Sequence, residues 1–495
     1  MIIKPTPQNH RKIFLLFFFL LTLVGNAQIG IGTVTPNTSS ILDITSTTKG
    51  LLSPRMTTAQ RTAIATPADG LMVYDTDLKV FYYYSTSTST WLPIVSGTSL
   101  RNNFKRIKST DVLATVLAAE LAAGGGAKYL LDSNTLYEIN GTVIFNFPID
   151  LNNAYIQGLD SSGDIILRTS GNIFEGSTGG SIKTVTLVAS TGNVFNMSGA
   201  ATQFLILRDT IIANSNTVGT ISGFGLVFLS IVQYTGNTNG ITYNNITNLL
   251  LSNTGWFSTN TGTYEKLTGT FTLVEKQGGF SQVDGTAIGF DVSANPTISG
   301  DAVLETVVFT GNTSAGYVKP YTVGTYTGYN FNNSWTVRSA GIPTEADNVA
   351  AGDFSVDYPV GSGASTAFNT SNPSNIVKVA ATSVAGNLFR FSTDGGINNR
   401  LKYLGKKRRI FQLAGSISFQ VPALGTYIIY IAKNGTALTQ YKIYGRGLAV
   451  NDILVLPLNA SLDLSNNDYV EVFAQRYTGG TTDAIITPNM TVTVK

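Results

Sequence analysis

Short runs of alternating apolar and polar residues recur through the middle of the chain at nearly constant spacing. Five such strand-like segments begin at Ser181, Thr202, Gly225, Ile246 and Gly269, so successive segments start 21, 23, 21 and 23 residues apart. Turns rich in Gly, Asn, Ser and Thr separate the segments, and helical periodicity is lacking between them. A period in the low twenties without helices is typical of one coil of a parallel β-helix.

A second motif repeats at the 21-residue offset that separates Ser181 from Thr202. The sequence GNIF at Gly171 returns as GNVF at Gly192, 21 residues later. Two separate motifs with one offset favour stacked coils over the alternative, a β-sandwich whose hairpins are evenly spaced. We therefore predict an all-β protein whose residues 98–345 form a right-handed parallel β-helix.

The region just before the repeat is predicted to cap the first coil. A helix is expected from Ser109 or Thr110 to the glycines at 124–126, which would end it. The first coil of an open β-stack exposes its apolar interior and its unpaired backbone groups, and such a helix covers both.

The flanking regions have different patterns. Residues 28–97 predict a small module with a short helix, capped by Thr57 or Thr58, followed by a β-hairpin around the sequence DTDL. Residues 346–375 are rich in Gly, Ser, Pro and Asn and are interpreted as a linker. Residues 376–495 alternate in strands joined by tight turns, which predicts an antiparallel, jelly-roll-like β-sandwich.

The first 27 residues have the features of a signal peptide. Lys4, Arg11 and Lys12 precede an apolar run over 13–21, and small residues precede Gln28, where cleavage is expected. The apolar run is too short for a transmembrane helix of ~20 residues. We expect a secreted protein, extracellular or associated with the cell surface, without an integral membrane span after cleavage; the alternative is a retained anchor.

Composition and charge narrow the possible chemistry. Charged residues make up only 12% of the chain, about half of the ~25% usual in soluble domains. The formal net charge of +3 falls to zero when residues 1–27 leave, and His10, the one histidine of the sequence, leaves with them. Cysteine is absent from the sequence. A neutral chain without His or Cys predicts no nucleic-acid partner, no catalytic triad, no cofactor and no histidine-bound metal.

The enzymatic alternative is a β-helical polysaccharide lyase or glycosidase. Such a site needs two carboxylates roughly 5–10 Å apart or an acidic calcium cluster. Asp209 is the one carboxylate between Gly176 and Tyr264, and no acid lies one repeat before or after it. A cluster on the last coils would draw on four acids, Asp284, Asp291, Asp301 and Glu305. Scattered solvated acids are the favoured interpretation, and no catalytic residue is expected.

Two groups of side chains are candidates for ligand contact. The densest charge is the basic run Lys406, Lys407, Arg408 and Arg409, which suits an acidic surface glycan or, alternatively, a solvated strand edge. Aromatic residues suited to stacking on sugar rings, or to ordinary packing, are Tyr82, Tyr83, Tyr84, Trp256 and Phe257.

The N-terminal module resembles one found in secreted, cell-wall-anchor-like surface proteins of Bacteroidota and in some tail-fibre-like proteins. The similarity covers about 70 residues and rests on GIGT at Gly30, PRMTTAQR at Pro54, GLMVYDTD at Gly70 and Trp91. It implies a location at a surface more than an activity.

The C-terminal region resembles the jelly-roll tip domains of phage tail and tail-fibre-like proteins, which are related in shape to the tumour-necrosis-factor fold. The similarity rests on the segments that begin at Asn398, Tyr430 and Asn467. It implies a homotrimer that serves attachment, although the lack of histidine argues against a metal-stabilised trimer. A further possibility is that the final strands also act as a sorting signal for secretion.

Together these observations predict a non-enzymatic surface protein for structure or adhesion. Its β-helix would act as a stem that presents the sandwich to a glycan or protein ligand.

Overall fold

The computed structural model describes residues 28–94, 103–368, 375–395, 399–478 and 483–495. The predicted signal peptide lies outside these residues. The chain divides into two compact units, before and after the Asn102–Asn103 bond. None of the helices in the described ranges is long and apolar enough to cross a membrane.

The first unit contains the predicted short helix and hairpin. Its elements are β1 (Ile29–Ile31), β2 (Leu42–Ile44), β3 (Arg55–Met56), α1 (Thr58–Thr62), β4 (Met72–Asp75), β5 (Val80–Ser85) and β6 (Thr90–Pro93). Strands β1 and β2 form a parallel two-stranded ribbon, and β3 to β6 form a four-stranded sheet. Helix α1 begins with a capping box, in which the side chains of Thr57 and Gln60 each accept a hydrogen bond from the other residue's backbone N–H.

A buried carboxylate connects the helix to the sheet of this unit. Asp75 is fully buried and accepts hydrogen bonds from Arg61 Nε at 2.9 Å and from the Thr58 hydroxyl at 2.8 Å. Its Oδ1 also accepts the backbone N–H groups of Asp77 and Leu78. Burial opposes ionisation, but the bonds from Leu78, Arg61, Thr58 and Asp77 outweigh it and lower the pKa of Asp75 to about 2. Asp75 therefore holds helix α1 against the sheet of this module.

The second unit begins with the β-helix. Its strands are β7 (Phe104–Lys108), β8 (Tyr129–Leu130), β9 (Leu136–Asn140), β10 (Thr142–Ile144), β11 (Ile149–Asp150), β12 (Tyr155–Gln157), β13 (Ile165–Arg168), β14 (Phe174–Gly176), β15 (Gly180–Lys183), β16 (Thr186–Ala189), β17 (Asn193–Ser198), β18 (Phe204–Ala213), β19 (Thr217–Ser222), β20 (Leu226–Thr235), β21 (Asn239–Asn244), β22 (Asn248–Trp256), β23 (Thr263–Thr268), β24 (Thr270–Phe271), β25 (Leu273–Gln282), β26 (Ile288–Asp291), β27 (Thr297–Ile298), β28 (Ala302–Thr310), β29 (Val318–Lys319) and β30 (Trp335–Ala340). They stack in parallel as a 13-stranded and a 9-stranded sheet, with β24 and β27 as a separate pair. The all-β prediction and the parallel β-helix are confirmed.

The GNIF and GNVF repeat is explained by this stacking. Phe174 pairs in register with Phe195, and their rings stack with centroids 5.6 Å apart. Asn193 donates its backbone and side-chain N–H groups to Asn172 Oδ1 at 3.2 and 3.0 Å. A Cβ atom on Gly192 would lie 2.2 Å from the carbonyl oxygen of Gly171, so glycine alone permits this approach. Each residue of the motif thus lies on its own equivalent in the next coil.

The long strands bend at a column of left-handed residues. Six residues of successive coils have φ between 50° and 66°: Thr184, Asp209, Ile231, Asn253, Gly278 and Thr306. Register pairing on both sides of each bend places these residues above one another. A β-branched residue rarely adopts this conformation, so the neighbouring coils must impose it on Ile231.

The interior carries one buried ion pair among apolar side chains. Lys276 lies in a column between Leu251 and Leu304, and its Nζ is 3.0 Å from Glu265, with both side chains at most 1% exposed. Lys276 Nζ also donates to the Thr254 hydroxyl at 2.8 Å. Burial raises the pKa of Glu265, and the charge of Lys276 opposes that rise. A buried pair of this kind favours one register, because shifting it would leave a charge unpaired.

The predicted cap is present as two short helices, α2 (Leu113–Val116) and α3 (Ala118–Ala123), which end at Gly124. Leu113 and Leu117 are buried in the same core as the coils. Glu120 accepts hydrogen bonds from Tyr137 and Lys105 of the first coil. The helices therefore cover the apolar end of the stack.

The remaining strands form an antiparallel sandwich: β31 (Ala351–Asp357), β32 (Ala364–Ala367), β33 (Ile376–Lys378), β34 (Val384–Phe389), β35 (Phe391–Ser392), β36 (Leu401–Tyr403), β37 (Arg409–Gln420), β38 (Gly425–Lys433), β39 (Thr436–Ala437), β40 (Ile443–Gly447), β41 (Ile453–Leu464), β42 (Tyr469–Arg476) and β43 (Ala484–Val494). They make a six-stranded and a seven-stranded sheet.

The structure differs from the predicted linker over 346–375. Strand β31 pairs with β43 and β34, and β32 also pairs with β43. Phe354 and Val356 are buried in the core of the sandwich. The alternation of apolar residues in β31 outweighs the local excess of Gly and Ser, so the sandwich begins before residue 376.

Candidate functional site at the junction of the β-helix and the sandwich

One buried arginine joins the last coil to the sandwich. Arg390 is 2% exposed, and its guanidinium donates to Asp347 Oδ1 and to the backbone carbonyls of Trp335 and Glu345. Glu345 in turn accepts the backbone N–H groups of Asn330 and Phe331 at 2.7 and 2.8 Å. Burial raises the pKa of Glu345, and these hydrogen bonds oppose the rise. The junction is therefore a polar network closed off from solvent.

The basic run of Lys406 to Arg409 lies at this junction. Lys406 Nζ donates to the carbonyl oxygens of Gly300 and Ser334 at 2.9 and 3.0 Å and forms an ion pair with Asp301 at 3.2 Å. It thereby connects the sandwich to two successive coils.

The other members of the run have protein partners too. The backbone N–H of Lys407 donates to Asp347 Oδ2 at 2.7 Å, and Arg409 donates to the Asp347 carbonyl. Arg408 forms a bidentate, exposed ion pair with Asp463, in which Nε donates to Oδ1 and a terminal N–H donates to Oδ2. Three of the four side chains thus bind groups of the same chain. Ligand contact by this basic run stays a prediction, and the arrangement of its side chains does not support it.

A cleft of about 650 Å³ opens beside the junction. Nine residues line it, and none carries a charge: Thr325, Tyr326, Thr327, Tyr329, Ala351, Gly386, Asn387, Leu388 and Phe389. The rings of Tyr329 and Phe389 stack at 4.1 Å, and Tyr326 meets Phe389 edge-on at 5.3 Å. The loop between β29 and β30 forms one wall of the cleft, and β34 forms the other.

Hydrogen bonds fix the shape of this cleft. Tyr326 donates to Asn333 Oδ1 at 3.0 Å, and burial raises the pKa of Tyr326. Asn387 donates its backbone N–H to Asp353 Oδ1 at 2.8 Å. Sequence reasoning missed this site; two tyrosines between glycines in a loop, GTYTGYN, were the available signal.

The acids of the last coils have separate partners. Asp284 accepts the backbone N–H of Asn312 at 2.6 Å. Lys319 lies 4.0 Å from Asp291, and Arg338 lies 3.8 Å from Glu305. Groups of three or more acidic, His or Cys side chains able to hold a metal ion do not occur in the described residues.

Asp209 lies on the left-handed column. Its neighbours there are Thr184 and Ile231. Neither neighbour supplies a second carboxylate.

Most of the aromatic residues considered for sugar binding pack against other side chains of the protein. Trp256 is buried inside the coils, where it stacks on Tyr264 at 4.6 Å. The ring of Tyr82 faces the Arg61 guanidinium at 3.8 Å. Phe257 is 37% exposed and packs against Phe280.

Comparisons with known proteins identify one region. Residues 30–109 match the family model described as phage tail-like trimerisation region. The matched range begins within β1 of the first unit and ends just after β7. The expectation of a tail-fibre-like module is thereby confirmed for this region, whereas an origin in Bacteroidota stays a prediction. No curated protein matches the chain.

Among solved structures, two crystal structures of murine APRIL, at pH 8.5 and pH 8.0, are 11% and 10% identical with TM-scores of 0.21. Each alignment covers 29% of this chain and 98% of APRIL. The enzymatically active domain of tailspike protein 4 of bacteriophage CBA120 is 9% identical with a TM-score of 0.19, over 90% of this chain and 78% of that domain. These scores are too low to carry an inference.

We predict that Arg390→Ala destabilises the second unit by about 3–5 kcal/mol, because it leaves Asp347 buried without its cation. Chemical unfolding of residues 28–495, followed by tryptophan fluorescence, measures the change. The matched control is Arg408→Ala, which removes an exposed ion pair and should change stability little. Equal effects of the two substitutions would show that the junction network is not needed for stability.

Proposed function

We propose that this protein is an exported, homotrimeric fibre protein for adhesion, with the β-helix as its stem. The observation that carries the proposal is the match of residues 30–109 to a phage tail-like trimerisation region, a range that ends at the first strand of the β-helix. A trimerisation region followed by a β-helix and a sandwich suits a protein that holds a binding surface away from its point of attachment.

The β-helix has the properties that a stem requires. One continuous apolar core runs from Ile107 to Val337, and backbone hydrogen bonds connect every coil to the next. Rigidity therefore comes from burial and register and not from charged surface networks. Lys406 and Arg390 fasten the sandwich to the last coil.

The cleft supports binding of an uncharged glycan. Aromatic rings with neutral hydroxyl and amide groups suit sugar rings, which present apolar faces and many hydroxyls. The absence of charge from the nine lining residues argues against a sulfated or acidic sugar. A volume of about 650 Å³ lies in the range of small-ligand sites.

We propose binding and not bond cleavage as the activity. Asp284, Asp291, Asp301 and Glu305, the four acids considered for a cluster on the last coils, are each engaged by a different cation or backbone donor, so these four do not form a pair of free carboxylates. A polysaccharide-cleaving enzyme remains the competing class. Export and attachment to a surface are also part of the proposal. The signal-peptide features of residues 1–27 support export, and the resemblance of residues 28–97 to a module of surface proteins supports attachment.

We predict that residues 28–495 form a trimer in solution. Size-exclusion chromatography with multi-angle light scattering should give about three times the mass of one chain. A mass equal to one chain across the micromolar range would contradict the proposed fibre.

We predict that the same protein binds neutral oligosaccharides on a glycan array through the cleft. Thr327→Trp fills the cleft without removing a junction contact and should weaken binding by at least about tenfold. The matched control, Tyr444→Ala, alters an exposed tyrosine outside the cleft and should leave binding unchanged. Preference for acidic glycans, binding that Thr327→Trp does not weaken, or binding only to protein ligands would overturn the cleft as the glycan site.

A further inference from the structure

The ribbon of β1 and β2 has one apolar face. Ile29 pairs with Leu42 and Ile31 pairs with Ile44 in parallel register, so the four side chains lie on the same side. Their exposed fractions are 60%, 47%, 54% and 38%, respectively. We call these four side chains the ribbon face.

The opposite side of the ribbon is covered by the chain itself. A Cβ atom on Gly30 would lie 2.6 Å from the Thr33 carbonyl oxygen and 2.9 Å from Pro36, so the turn packs closely there. Asp43, on the same side as Gly30, accepts the backbone N–H of Asn37 at 2.9 Å. The polar side is thus used within the first unit, while the apolar side is open.

An open face of this kind is costly for a lone chain. A parallel ribbon of three residues per strand is too short to be stable by itself, and it needs further strands or a covering surface. Three more aliphatic side chains close by in the sequence are more than two-thirds exposed: Ile41 at 79%, Leu51 at 71% and Leu52 at 77%. The four paired side chains of the ribbon face form a contiguous apolar surface, and such a surface marks a contact site.

We infer that the ribbon face is the contact by which three copies of this chain associate, with two further copies as its occupants. The inference rests on the proposed homotrimer and names its surface. The region matched to a trimerisation model includes both strands of the ribbon from Gly30 onward. This match is an observation separate from the exposure of the ribbon face, and it indicates other copies of the chain as the partners. The ribbon face consists of aliphatic side chains without charge, so equivalent faces around a three-fold axis bury one another without like-charge repulsion.

The test compares residues 28–495 with the double variant Ile31→Lys/Ile44→Lys by light scattering. The wild-type chain should be a trimer, and the double variant should have about one-third of that mass, because lysines on each copy would meet at the axis. Leu78→Lys is the matched control: it is 51% exposed in the same unit but lies outside the ribbon, and it should remain trimeric. Circular dichroism checks that the β-sheet content is unchanged.

If the lysine variant fails to fold, Ile31→Ala/Ile44→Ala replaces it, and its trimer should dissociate at concentrations at least about tenfold higher than the wild-type trimer does. A wild-type trimer whose ribbon variants remain equally trimeric overturns the ribbon face and leaves the proposed fibre intact. A wild-type monomer overturns the proposed fibre itself. Dissociation by Leu78→Lys to the same extent would show that the contact is not specific to the ribbon.

Discussion

Parallel register between successive coils is the constraint on which the rest of the structure depends. A residue of one coil lies directly on its counterpart in the next, so each position must suit the residues above and below it. Phe174 lies on Phe195 for this reason, and the close contact of Gly192 with Gly171 excludes a side chain. The same constraint holds Ile231 in a left-handed conformation that its β-branched side chain disfavours. The energy for this strain comes from the continuous core and the hydrogen-bonded ladder on both sides.

The two ends of the stack of coils are covered by different elements. Short helices cover the first coil through Leu113 and Leu117. At the other end the covering element is the sandwich. Arg390 and Lys406 fix it by donating to the backbone carbonyls of Trp335, Glu345 and Gly300. The charges concentrated near this junction thus serve assembly within the chain. The uncharged cleft beside them is the feature suited to a ligand.

The sequence predicted what repeats and missed what depends on distant partners. Offsets of about 21 residues were sufficient to predict the β-helix, because register repeats in the sequence as it does in space. The basic run suggested a surface for ligands, since its partners Asp301 and Asp347 lie 105 and 60 residues away in the chain. Residues 351–357 looked like a linker because local composition outweighed the alternation of Phe354 and Val356. The cleft is formed by a loop and a strand some 60 residues apart, and only their folding together brings Tyr329 to Phe389.

The most direct test of the stacked register uses the lack of cysteine in this protein. Glu175 and Asn196 are exposed and pair in register between neighbouring coils, at the strand spacing of about 4.8 Å that a disulfide can span. Glu175→Cys/Asn196→Cys should therefore give a disulfide under mild oxidation, detected by peptide mapping without reductant. Glu175→Cys/Ser198→Cys, with the partner two residues along the strand at about 8 Å, should not. Efficient cross-linking of the second pair, or failure of the first pair to cross-link in folded protein, would contradict this register. The β-helix, its column of left-handed residues and its cap all depend on that register.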